Sequence, residues 1–134
     1  MKRLFSLIIL MLVLSIATYS QTQATVQKEL LCKTWFLEKY QEADGKTYPS
    51  PMEMKNEYLK YNCDGTMESI EGGLLLRGKW TFDETKGIIT VTQNTTKDYP
   101  TKIVTRVISL SEKELVIEGI DAGGDKLILY LRPK

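Results

Sequence analysis

Apolar residues recur at every second position through most of the chain beyond residue 33, and helical spacing is confined to a short stretch before it. In "GGLLLRGKWTFDETKG", from Gly72 to Gly87, Leu74, Leu76, Gly78, Trp80 and Phe82 fall on one face and Leu75, Arg77, Lys79 and Thr81 on the other. That is the period of a half-buried strand. The same alternation predicts strands over 33–42, with Trp35 and Leu37 in phase, and over 57–62, with Leu59 and Tyr61 in phase. Further strands are predicted over 66–71, 88–93, 102–110, 115–119 and 126–132. Between them stand turn signals: Asp44-Gly45, Asp64-Gly65, Gly72-Gly73, Asp83 to Gly87, Ser111 to Glu114, and Asp121 to Asp125 with two glycines. Glycine there accepts backbone angles that a Cβ would forbid. Ahead of the strands, Thr25 is placed to cap a brief helix through Leu31, with Val26 and Leu30 on one face.

Eight strands joined by short connections make an antiparallel meander in which each strand pairs with the next. Left open, such a sheet exposes two edges, and closure removes both. The expected fold class is therefore all-β: an eight-stranded antiparallel up-and-down barrel with a short N-terminal helix. Eight strands enclose room for packed side chains or for one small ligand. The residues expected on the inner wall are Leu37, Leu59, Tyr61, Met67, Leu74, Leu76, Trp80, Phe82, Ile89, Val91, Ile108, Ile117 and Leu129, and Gly78 is expected to let the sheet bend sharply.

Before the strands, Lys2 and Arg3 precede an apolar run from Leu4 to Ala17 and a polar stretch from Thr18 to Gln23. This is the pattern of a signal peptide, and the run is shorter than the ~20 residues that span a bilayer. A cut after Ala24 satisfies the small-x-small rule, and one after Ser20 leaves Gln21 first. The first cut divides the chain into a leader, 1–24, and one domain, 25–134, without a stable membrane span. Losing Lys2 and Arg3 from 18 basic residues against 17 acidic ones turns the net charge from +1 to −1. The signs alternate along the strands, so there is no basic patch for nucleic acid. Export, to the periplasm or beyond the cell, allows Cys32 and Cys63 to form a disulfide between the start of one strand and the end of the next. The alternative is two buried thiols.

The segments "ELLCKTWFLEKY", "YLKYNCDGTMES", "LRGKWTFDETKGIITV" and "VISLSEKELVIEG" resemble the lipocalin-like domain proteins exported by Bacteroidetes, within the calycin group of small barrels. Gly78-Lys79-Trp80 keeps the group's Gly-x-Trp pattern, whereas Lys33-Thr34-Trp35 has lost the glycine. The resemblance implies a structural pair, Trp35 closing the narrow end of the barrel beneath Arg132 of the last strand. It also implies a lid in the long first loop, where Tyr48, Met52 and Met54 would form the barrel mouth. Such barrels host many functions, so the resemblance speaks for the fold.

The chain contains no histidine, and so lacks the commonest general base and transition-metal ligand. No clustered cysteines, phosphate-binding loop or catalytic triad takes its place, and neither enzymatic activity nor a cofactor or metal is expected. Two cations share phase with apolar neighbours: Lys39 with Trp35 and Leu37, and Arg106 with Val104, Ile108 and Leu110. Inside a barrel they would need a partner such as a ligand carboxylate; otherwise they snorkel at the mouth or the phase is misread. Two functions remain. One is a binding barrel for a small apolar or amphipathic molecule. The other is a protein-binding module with a solid core and an outer patch of Phe36, Tyr40, Tyr58 and Leu75, whose partner is unknown.

Overall fold

The computed structural model describes residues 27–93, 101–120 and 123–134. A short helix, α1, covers 27–31. Among the described residues nine strands follow: β1 (Thr34–Gln41), β2 (Thr47–Pro49), β3 (Tyr58–Tyr61), β4 (Thr66–Glu71), β5 (Leu74–Asp83), β6 (Ile88–Gln93), β7 (Thr101–Leu110), β8 (Leu115–Ile120) and β9 (Lys126–Arg132). A single 3-10 turn, Met52–Met54, lies between β2 and β3. The leader and the capping residue Thr25 lie outside the described residues.

From β3 to β9 each strand pairs antiparallel with the next, and β9 returns to pair with β1 along Phe36 to Gln41. Closure is therefore complete: β1 and β3–β9 form an eight-stranded barrel. Nothing in the apolar alternation pointed to β2, which is only three residues long, all exposed, and includes Pro49. It fits because β3 covers only Thr34 and Trp35 of β1, leaving Lys39 to Gln41 free to pair with Thr47 to Pro49. The first loop is thus pinned beside one end of the barrel.

That end is open and the other is closed. At the closed end, α1 lays Leu31 over a core of Trp35, Tyr61, Trp80, Ile89 and Leu115, with Phe82, Val107 and Leu110 packed against it. Trp35 is 0% exposed, and its indole N–H donates to the Leu31 carbonyl at 3.0 Å. The Trp80 indole donates to the Asn62 carbonyl at 2.8 Å and packs on the Tyr61 ring, centroids 4.8 Å apart. Both indoles are buried with their polar atoms satisfied, which a buried Trp requires. Cys32 and Cys63 are bonded to each other, Cα atoms 5.3 Å apart, so the thiol alternative falls away. The bond ties the end of α1 to the end of β3.

Two strands change face midway. Leu37 pairs with Leu131 and Lys39 with Tyr130, leaving Glu38 as an extra residue. Val107 pairs with Ile117 and Ser109 with Val116, leaving Ile108 extra. One inserted residue reverses the phase of everything beyond it. The expectations for Lys39, Arg106 and Ile108 are corrected on this ground. Tyr40, opposite Leu129, is the inward residue of β1 after its bulge, while Lys39 lies outside with its ammonium 4.7 Å from the Tyr130 ring centroid. On β7, Ile103 and Thr105 stand opposite the inward Val91 and Ile89. Arg106 therefore faces out, bonded to Glu118 at 3.2 Å, and Ile108 is 45% exposed.

Two further corrections concern strand ends. Leu74 is 67% exposed because β5 has barely left the Gly72-Gly73 turn and stands clear of the wall. Arg132 does not cover Trp35: paired with Phe36, it projects outward and binds Glu38 at 2.6 Å and Glu114 at 3.8 Å. The cation over the Trp35 ring is Lys33, 5.4 Å from its centroid. Arg132 belongs to an outer ion-pair group, and the indole is covered by a lysine just ahead of its own strand.

Candidate functional site: the open half of the barrel

Toward the open end the inward leucines are less enclosed. Leu37, Leu59, Leu127 and Leu129 are each only partly buried, because they face a cavity of about 550 Å³. That volume is in the range of small-molecule sites. Trp35 forms its floor, Ile117 and Leu131 complete the apolar wall, and Pro51 and Met54 of the first loop reach it from above. The loop is held there by β2, by Ser50 N–H donating to the Glu38 carbonyl at 2.9 Å, and by stacking of Tyr48 on Tyr40, centroids 5.5 Å apart.

Among the expected wall residues, Leu37, Leu59, Ile117 and Leu129 line this cavity, and Trp35 does so from below. Tyr61, Met67 and Trp80 belong to the packed core. Burial raises the Tyr61 phenol's pKa and keeps it neutral. Val91 is buried and Leu76, opposite Ser69, partly so, but neither borders the cavity. At the mouth Met54 contributes directly, Tyr48 acts through Tyr40, and Met52 points away at 73% exposure. Of the outer patch of the second reading, Tyr40 instead borders the cavity, whereas Phe36 and Tyr58 pack together at 6.1 Å and Leu75 is 49% exposed.

The polar part of the site escaped sequence reasoning. Glu57 and Glu71 border the cavity together with Tyr40, Tyr58 and Ser69. Ser69 Oγ donates to Glu71 Oε1 at 3.0 Å, and Gln93 Nε2 donates to Ser69 Oγ at 3.2 Å. Ser69 and Gln93 are the buried polar residues of the described wall, and each satisfies the other. Glu57 Oε1 accepts the Gly72 N–H at 2.7 Å, which anchors the segment before β3 to the β4–β5 turn. A readable signal existed: in a meander, Glu57 before one strand and Glu71 at the end of the next must sit at the same end. Among the described residues no group of three metal-ligating side chains is present, and no helix is long and apolar enough to cross a membrane.

The barrel fold recurs in solved structures. A lipocalin-like protein from Bacteroides uniformis superposes with a TM-score of 0.56 at 18% identity, over 78% of this chain and 99% of that one. The fold is a lipocalin-like barrel. A DUF4847-family protein from Bacteroides vulgatus is similar too, with a TM-score of 0.53 at 11% identity, over 78% of this chain and 95% of that one. No family model matches the chain, and no curated protein matches it. At such identities the likeness of this lipocalin-like barrel to its neighbours is one of fold alone, and one such fold carries many unrelated functions.

Proposed function

We propose that the protein is an exported, non-catalytic barrel that holds a small apolar or amphipathic molecule in its open half. The carrying observation is the cavity of about 550 Å³ beneath the first loop. Packed interiors rarely leave such voids, and a leucine-lined hollow with a few placed polar groups is the common form of a ligand pocket. Export is supported by the basic-then-apolar leader and by the Cys32–Cys63 bond, which suits an oxidising compartment. The absence of histidine leaves the polar groups at the mouth suited to orienting a ligand more than to moving protons.

Native mass spectrometry of the protein purified from its own host tests the proposal, with an added small-molecule mass as the expected result. In parallel, the neutral probe N-phenyl-1-naphthylamine is expected to gain fluorescence in the native protein. A Leu59→Trp/Leu129→Trp double variant, which fills the middle of the cavity, is expected to weaken uptake at least about tenfold, given the desolvated contact removed. A bare mass together with no uptake of any probe overturns the reading in favour of a protein-binding module.

A further inference from the structure

We infer that the molecule held here carries a cationic head, an ammonium or a similar group, and that fatty-acid-type carboxylates are disfavoured; this rests on the cavity being a ligand site as proposed above. The cavity itself makes the site, and its charge lining sets the class of ligand. Its charged lining residues are Glu57 and Glu71, and no lysine or arginine borders it among the described residues. Lys39 and Arg106, the cations that an unbroken strand phase would turn inward, are held outside on Tyr130 and Glu118.

The two carboxylates are neighbours. Glu57 is fixed on the amide of Gly72, the residue next to Glu71. Each is held by neutral donors alone: Gly72 N–H for Glu57, and Ser69 Oγ with Gln93 Nε2 at 3.5 Å for Glu71. No ion pair engages either one among the described residues. Two like charges beside a low-dielectric hollow repel an incoming anion and attract a cation, and the attraction grows as the ligand's tail excludes water. Tyr40 borders the same space, and its ring is a second source of attraction for an ammonium. Because the mouth is open to solvent, the preference is moderate and salt-sensitive.

The test is competition against bound N-phenyl-1-naphthylamine by dodecylamine, dodecanol and dodecanoate, each below its micelle concentration at neutral pH. Dodecylamine is expected to displace the probe at least about tenfold better than dodecanoate, the scale of one partly exposed charge-assisted contact. Dodecanol should fall between, and the gap should shrink as salt is raised. In Glu57→Gln/Glu71→Gln, which keeps the acceptor oxygens for Gly72 and Ser69, the amine-to-carboxylate ratio is expected to approach one, with a thermal melt confirming that the variant is folded. If the probe binds but dodecanoate competes as well as dodecylamine, or if the ratio survives in the double variant, the inference is overturned and the cavity reading stands. If no probe of any charge binds, both fall together.

Discussion

At the scale of single residues, the most constrained position is Gly78. A Cβ placed there would overlap the Thr92 carbonyl oxygen, with the Thr92 carbonyl carbon at 2.9 Å and Gln93 Cα at 3.0 Å. All three are backbone atoms of β6, which no rotamer change can move aside. The requirement is one of closeness between strands, where Gly78 faces Gln93, a role of glycine inside a strand other than the sharp bend expected from the sequence. Gly78→Ala is expected to cost about 2–3 kcal/mol in urea unfolding, the range for overpacking against an unyielding wall. Gly119→Ala is the control: its Cβ would meet nothing nearer than Thr105 Cγ2 at 3.8 Å. The change there should stay within about 0.5 kcal/mol, since a side chain that fits also restricts the unfolded chain. Equal losses at both positions would mean that the close approach of β5 and β6 does not matter.

At the scale of elements, the sequence marked where strands lie more reliably than which way they face. The turns carry their own chemistry: Gly45, Gly65, Gly72, Gly73, Gly87 and Gly124 all have positive φ, so punctuation by glycine located the hairpins. Facing direction on β1 and β7 was hidden by the extra residues Glu38 and Ile108. A period-2 count cannot detect an insertion when apolar residues occupy both faces, as Ile103, Val104, Val107 and Ile108 do. The same blindness put Lys39 inside and Tyr40 outside, and so concealed the aromatic side of the mouth. The bulge on β7 makes a direct prediction about two adjacent residues. Val107 is partly buried against the core and Ile108 faces solvent, so Val107→Lys should cost about 1–2 kcal/mol by setting a charge against apolar neighbours. Ile108→Lys should change stability by no more than about 0.5 kcal/mol. Thermal melts that rank the two variants in the opposite order would return β7 to an unbroken phase and bring Arg106 back inside.

At the scale of the molecule, one barrel is built as two unequal halves, a packed base and a hollow top, and the base must supply the stability that the hollow forgoes. The disulfide lies at the base, where Cys32 leaves α1 and Cys63 ends β3, 31 residues apart. The loop it closes contains β1, the first loop with Pro51 and Met54, and β3. The bond thus ties together the base ends of the two strands that carry the covering of the cavity, whose own 3-10 turn has no buried residue. In the chain-entropy account, a loop of that length restricts the unfolded state by about 3–4 kcal/mol. Cys32→Ser/Cys63→Ser is therefore expected to lose that amount in urea, with a larger m-value because the released chain expands further on unfolding. A loss below about 1 kcal/mol with an unchanged m-value would place the stability of the base in its side-chain packing alone. Leu31, Trp35, Tyr61 and Trp80 would then be the contacts that keep the tube closed beneath its empty half.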